Sequence, residues 1–257
     1  MKIGGRAYKN GVRLFGKRYS VKAYYENNRL KYTISKNKIA DNKLFLFLKK
    51  IPFLRGIVSI IFALIAFFKE ASGSPKKFWP VILLVFLEIG LQVQYRFFPT
   101  QSAQLFGFFA RFNLLTYLIL VGGILIVLRM TILKEIFKFH GAEHKAVNYY
   151  QGDSQGELTG YSRLARRCGT NLVVFYLIIV TSFERLGLSF NAYLMSLVAI
   201  GIAYEILLIA PKVILYLPYL VQKFTTIEPD SKHLIAAQKA LEVLLRVESK
   251  EQERPIA

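Results

Sequence analysis

The chain has 257 residues, 54% of them hydrophobic, and sets 35 Lys plus Arg against 16 Asp plus Glu for a formal net charge of +19. Such apolarity with so large a basic excess is unusual for an ordinary soluble domain, and it points away from acidic partners toward anionic lipid or RNA. The single cysteine, Cys168, excludes an intrachain disulfide framework and fits a reducing compartment.

Residues 1–50 hold 14 of the basic residues and only two acids, Glu26 and Asp41. No cleavable signal peptide is expected, because 1–43 lack an apolar core segment. Within this basic segment "YSVKAYYENNRLKYTIS" alternates Tyr, Val and Ile around Asn27-Asn28, where asparagine tolerates positive φ, and predicts a small β-hairpin. The basic residues interleaved with Tyr8, Tyr19, Tyr24, Tyr25 and Tyr32 suit phosphate contact plus stacking, so anionic lipid head groups or ribosomal RNA are the expected partners. Retention of a basic segment on one side of a membrane explains them equally well.

The 51–77 segment contains Ile57, Ile60, Ile61, Leu64, Ile65 and Phe68 at helical spacing, with thirteen uncharged residues between Arg55 and Lys69. About 20 are needed to span hydrocarbon, so this segment reads as an interfacial or re-entrant helix. Four spanning helices are expected over 78–210, at about 78–98 and 104–130 and as an antiparallel pair joined near Gly187 to Asn191, interrupted by a polar segment at 131–169. Basic loops place both termini and that segment on the cytosolic side of a bacterial membrane. Residues 211–257 end in a helix capped by Asp230 or Ser231, with Leu234, Leu241, Leu244 and Leu245 on one stripe. The expected fold is therefore an all-α polytopic membrane protein with a small β-hairpin, able to form a homo-oligomer.

The chemistry concentrates in "FHGAEHKAVNYY". On a helix His140 and His144 project from one face, close enough to share a divalent cation. The His-x-x-Glu-His order is that of inverted zinc-hydrolase motifs, in which Glu143 is the general base on water. A polar helix surface carrying these residues for solubility alone is the competing reading. A metal site needs a further ligand and an open position. Glu205, near the end of a returning helix, is the first candidate, with Glu157 and Glu228 behind it. Cys168 is a possible soft ligand, although a small buried side chain is its more common role. Arg163, Arg166 and Arg167 in "YSRLARRCGTN" suit an anionic substrate or a phospholipid head group, or else membrane anchoring. Glu88 and Glu184 with Glu205 would line a polar path in a transporter, which the lack of an inverted repeat argues against.

"GGRAYKNGV", "PFLRGIVS", "FHGAEHKAVN", "SRLARRCGTN", "AYEILL" and "TTIEPDSKHL", in that order, resemble the YqhQ-like bacterial membrane proteins over most of the chain. The resemblance implies a multi-spanning fold and a metal-dependent enzyme, with His140, Glu143 and His144 at its metal site. Three positions depart from that pattern: Asn10 stands where a glutamate is usual, Gln151 where an acid is, and Ala165 where a histidine is. Each change removes a group able to bind metal or move a proton. A hydrolase acting on lipid or membrane peptide is one resulting expectation; a non-enzymatic scaffold with a degenerate site is the other.

Overall fold

A computed structural model describes all residues except 2, 38–41, 74, 101–106, 108–113, 153, 189–190 and 253–257. The chain divides into two units, 1–59 with 128–257, and 60–127.

The first unit begins with four strands, β1 (Gly4–Tyr8), β2 (Gly11–Phe15), β3 (Tyr19–Glu26) and β4 (Arg29–Lys36), in one antiparallel sheet of order β1-β2-β3-β4. Asn27 and Asn28, both at positive φ, make the tight β3–β4 turn that sets Glu26 opposite Arg29. The sheet is twice the size of the hairpin predicted from the alternation of residues 19–35. Short, Gly- and Arg-rich β1 and β2 complete it: Val12 pairs with Ala23 and Leu14 with Val21 on the buried face.

Two helices cover that face, α5 (Lys134–Gln151) and α9 (Ser231–Gln252). Phe139, Ala142 and Ala146 of α5 and Ala236, Ala237, Ala240 and Leu244 of α9 pack on Val12, Leu14, Val21 and Ala23. The run of alanines lets both helices lie close to the sheet, while Leu14 and Leu244 fill the space between. Each such buried Leu or Val contributes about 1.5–3 kcal/mol.

Between these helices in sequence, α6 (Gly169–Arg185) and α7 (Ala192–Ile209) pair through Phe175, Ile179, Ala199, Ala203 and Leu207, and α8 (Tyr216–Thr225) adds to the same cluster. Asn191 caps α7 by accepting from the backbone N–H of Tyr193 and Leu194. Short helix α1 (Lys43–Leu48) belongs to the first unit, α2 (Leu54–Gly73) enters the second at residue 60, and α4 (Leu114–Met130) leaves it after residue 127. The second unit itself contains α3 (Pro75–Phe97), where Gln92 donates to Glu88 at 2.9 Å and Phe86 and Leu87 are exposed.

Among the described residues no helix is long and apolar enough to cross a membrane, which overturns both the all-α polytopic fold and the multi-pass cytoplasmic-membrane location. The physical reason lies in helix length and charge. Helix α6 has 17 residues, against about 20 for a span. Helix α3 is longer but contains Lys76, Lys77, Glu88 and Arg96, and α7 carries Glu205. Part of the expected 104–130 span, residues 104–106 and 108–113, lies outside the described residues, as do 189–190 of the α6–α7 connection. The architecture is a mixed α/β one.

Candidate metal centre

Helix α5 supplies the first two donors. His140 and His144 are one turn apart, with ring centroids separated by 4.3 Å. The intervening Gly141 serves an approach of backbone to helix: a Cβ there would collide with the carbonyl oxygen of Ile227. The same approach lets Ile227 N–H donate to the Phe137 carbonyl at 3.0 Å and brings the Thr225 carbonyl to 3.0 Å from His140 Nδ1.

On the other side, α5 holds the 159–168 loop by its carbonyls. His144 Nδ1 lies 2.7 Å from Arg163 O, and Asn148 Nδ2 donates to Ser162 O and Leu164 O at 2.7 and 2.9 Å. Buried Lys145 donates to Thr159 O and Tyr161 O, each at 2.7 Å, and pairs with Glu228 at 2.8 Å. Asn171 and Gln222 then secure Ala165 and Arg166 by their backbone groups. The loop so held delivers Cys168, the N-cap of α6, with its Sγ 3.5 Å from His140 Nε2.

One Nε2 from each histidine and the cysteine Sγ thus form a cluster whose ligand atoms lie within 4.8 Å of one another, a group that can hold a metal ion. The orientation of the rings favours it. With both Nδ1 atoms against backbone carbonyls, each donates Nδ1–H, and the Nε2 lone pairs are left for the cluster.

Glu143 is buried beside this group, its Oε2 3.6 Å from His144 Nε2. Gly5 of β1 crosses so close above it that a Cβ at that position would come within 2.6 Å of Glu143 Cδ. Burial pushes the Glu143 carboxyl above the usual carboxylate range, and the neighbouring histidines offset only part of this. Burial also works against the Cys168 thiolate, but both histidines outweigh it and bring the thiol down to about 4. For His144 burial opposes the charged ring, while Cys168, Glu143 and the Arg163 carbonyl together raise it to about 9. Both shifts run in the direction that favours a thiolate beside a charged ring. A cavity of about 100 Å³ lies over the cluster, lined in part by Gly4, Gly5, Gln151, Ala165 and Arg167. Gln151 and Ala165, two of the positions that depart from the resembled pattern, face this cavity.

Other expected site residues have different surroundings. Glu205 accepts from the backbone N–H of Phe53 at 2.9 Å and forms a two-point ion pair with Arg55, so its carboxylate is engaged there and not among the His-His-Cys donors. Glu228 binds Lys145, and exposed Glu157 accepts from Thr159. Arg163 donates to Thr226 O, and Arg166 donates to Leu207 O, Leu208 O and Ala210 O. Arg167 lines the cavity. Cys168, for which a small buried role is the more common one in sequence, is here both buried and a donor, and it stands 24 residues beyond His144 without any motif spacing. Its position immediately before an amphipathic helix was the available signal.

The family model described as "Protein of unknown function (DUF1385)" matches residues 51–247, which include every residue of the cluster. The chain is 28% identical over 299 aligned residues to a protein of Bacillus subtilis (strain 168) named "Uncharacterized protein YqhQ", with 96% of this chain and 93% of that protein covered. No solved structure matches.

Proposed function

This chain belongs to the DUF1385 family, and we propose that it is a zinc-dependent hydrolase whose ion is held by His140, His144 and Cys168. The observation that carries the reading is the convergence of two carbonyl-oriented imidazoles and one thiolate beside a buried carboxylate. The donor set suits the ion: a thiolate with two imidazoles favours zinc over hard cations, and three protein ligands would leave one position for water or substrate. When bound, zinc supplies Lewis acidity toward a substrate carbonyl or phosphoryl oxygen.

The chain's own groups do the rest. Glu143, raised by burial, accepts a proton from water in the cavity and returns it to the leaving group. Gly5 keeps the carboxylate in place and screens it from bulk water. Thr225 and Arg163 carbonyls hold the rings so that neither can turn its Nδ1 inward. Competition titration with a chromophoric chelator tests the reading. Wild type and Glu143→Gln should take up one zinc, whereas His140→Ala and Cys168→Ser should take up none. Zinc-loaded wild type should hydrolyse at least one of a set of nitrophenyl esters and phosphates, and Glu143→Gln none.

The contact of Cys168 Sγ with His140 Nε2 at 3.5 Å, with the thiol shifted toward the thiolate, favours a second reading, in which Cys168 is a nucleophile and histidine its acid–base partner. Chelation separates the two: it abolishes turnover by a zinc hydrolase and unmasks turnover by a thiol nucleophile.

A further inference from the structure

A second, larger cavity of about 540 Å³ adjoins the metal pocket. Ile3, Gly4, Arg167, Cys168 and Gly169 line both. Its volume lies in the range of about 300–1,000 Å³ typical of small-molecule sites. Its lining includes apolar Phe15, Leu172, Leu207 and Leu208 together with Tyr204, and cationic Lys49, Arg55 and Arg167, and no Asp or Glu is among the lining residues.

The three cations are not equivalent. Arg55 is neutralised by Glu205, and Lys49 sits over the Phe45 ring. Arg167 is exposed and makes no side-chain hydrogen bond or ion pair among the described residues. Its neighbours in sequence, Arg163 and Arg166, are spent on backbone carbonyls. A guanidinium with unused donors at the junction of the two cavities is suited to a planar or tetrahedral anion.

We infer that the larger cavity binds an anionic amphiphile, a phosphate or carboxylate joined to an apolar chain, with the anion on Arg167 and the chain along Leu172, Leu207 and Leu208. As a substrate assignment this rests on the zinc reading, because it places the polar end of the ligand beside Cys168 and Glu143. As a binding site it stands on the cavity and Arg167 alone. The shared chemistry covers a lipid-derived head group and a free small metabolite, and chain length in the probe distinguishes them.

The test is calorimetric titration of the full chain with octyl phosphate below its micelle concentration, alongside butyl phosphate, inorganic phosphate and octyltrimethylammonium. Octyl phosphate should bind at least about tenfold tighter than inorganic phosphate or the cation, and Arg167→Gln should weaken it by about tenfold or more. Leu208→Trp, which adds bulk to the apolar lining, should weaken octyl phosphate while leaving inorganic phosphate unchanged. Octyl phosphate far tighter than butyl phosphate assigns a lipid-like chain; equal binding of the two assigns a small metabolite. Equal affinity for octyl phosphate and octyltrimethylammonium, inorganic phosphate bound as tightly as octyl phosphate, or an Arg167→Gln chain that binds as wild type would overturn the inference. Zinc content is measured in parallel. Arg167-dependent binding by a chain that takes up no zinc leaves this site standing and removes the zinc reading, and zinc uptake without octyl phosphate binding does the reverse.

Discussion

His144 Nδ1 lies 2.7 Å from the carbonyl oxygen of Arg163, so the ring that offers a donor to the candidate metal centre also ties down the loop that ends in Cys168. One contact thus links helix α5, the loop and the third donor. Groups that orient ligands in this way typically change metal affinity by about 10–100-fold when removed.

Lys145 extends the same logic. Its buried ammonium serves two carbonyls and Glu228, and Lys145→Met, similar in shape, leaves all three without their donor. Urea unfolding should show a loss of about 2–4 kcal/mol, with zinc affinity falling as the loop loosens. A loss below about 0.5 kcal/mol would show that the loop holds without this clamp.

Gly141 gives a steric prediction. Gly141→Ala drives a methyl group into the Ile227 carbonyl, moving the segment that follows α8, and with it the Thr225 carbonyl, away from His140. Thermal unfolding should show destabilisation of about 1–3 kcal/mol together with weakened zinc binding. Gly160→Ala, with open space at its Cβ, is the matched control and should retain zinc.

Thiolate absorbance near 240 nm tests the buried pair in metal-free protein. Cys168 is lowered to about 4 and His144 raised to about 9, so the thiolate band should persist from neutral pH down to about pH 5 and vanish in Cys168→Ser. The cysteine contribution to stability is lost as pH falls through its folded value, and the histidine contribution as pH rises through its own. A band that appears only above pH 8 would mean that the rings do not charge-pair with the sulfur.

The Arg55–Glu205 pair predicts acid sensitivity that does not arise from the cluster's own donors. Arg55, and then the Phe53 N–H, hold the Glu205 carboxyl below the usual range. A depressed folded value contributes stability above the unfolded pKa, and that contribution fades as pH falls through the folded one. The stability gap between wild type and Glu205→Gln should therefore shrink between pH 6 and pH 3. A gap that stays constant would contradict the pairing.

Local patterns were legible in the sequence, and long-range pairings were not. The four-residue spacing of His140 and His144 placed them on one helix face, and the stripe of Leu241 and Leu244 marked the buried side of α9. The Asn27-Asn28 turn was readable from its chemistry, but β1 and β2 were hidden because glycines and arginines occupy half their positions. Apolar runs suggested spanning helices because composition does not reveal where a helix stops; Cys168 and Asn191 caps start α6 and α7, and both end within 18 residues. The partner of Glu205 lies 150 residues earlier, and Cys168 meets its histidines only through a loop held by Lys145, Asn148 and Asn171. No spacing in the chain records either.

X-ray absorption at the zinc edge of the full chain loaded with one equivalent of zinc tests the central claim most directly. The account predicts one sulfur at about 2.3 Å and two imidazole nitrogens at about 2.0 Å, with the sulfur shell absent from Cys168→Ser. A spectrum of oxygen and nitrogen alone in the wild type, or one unchanged by Cys168→Ser, would contradict it.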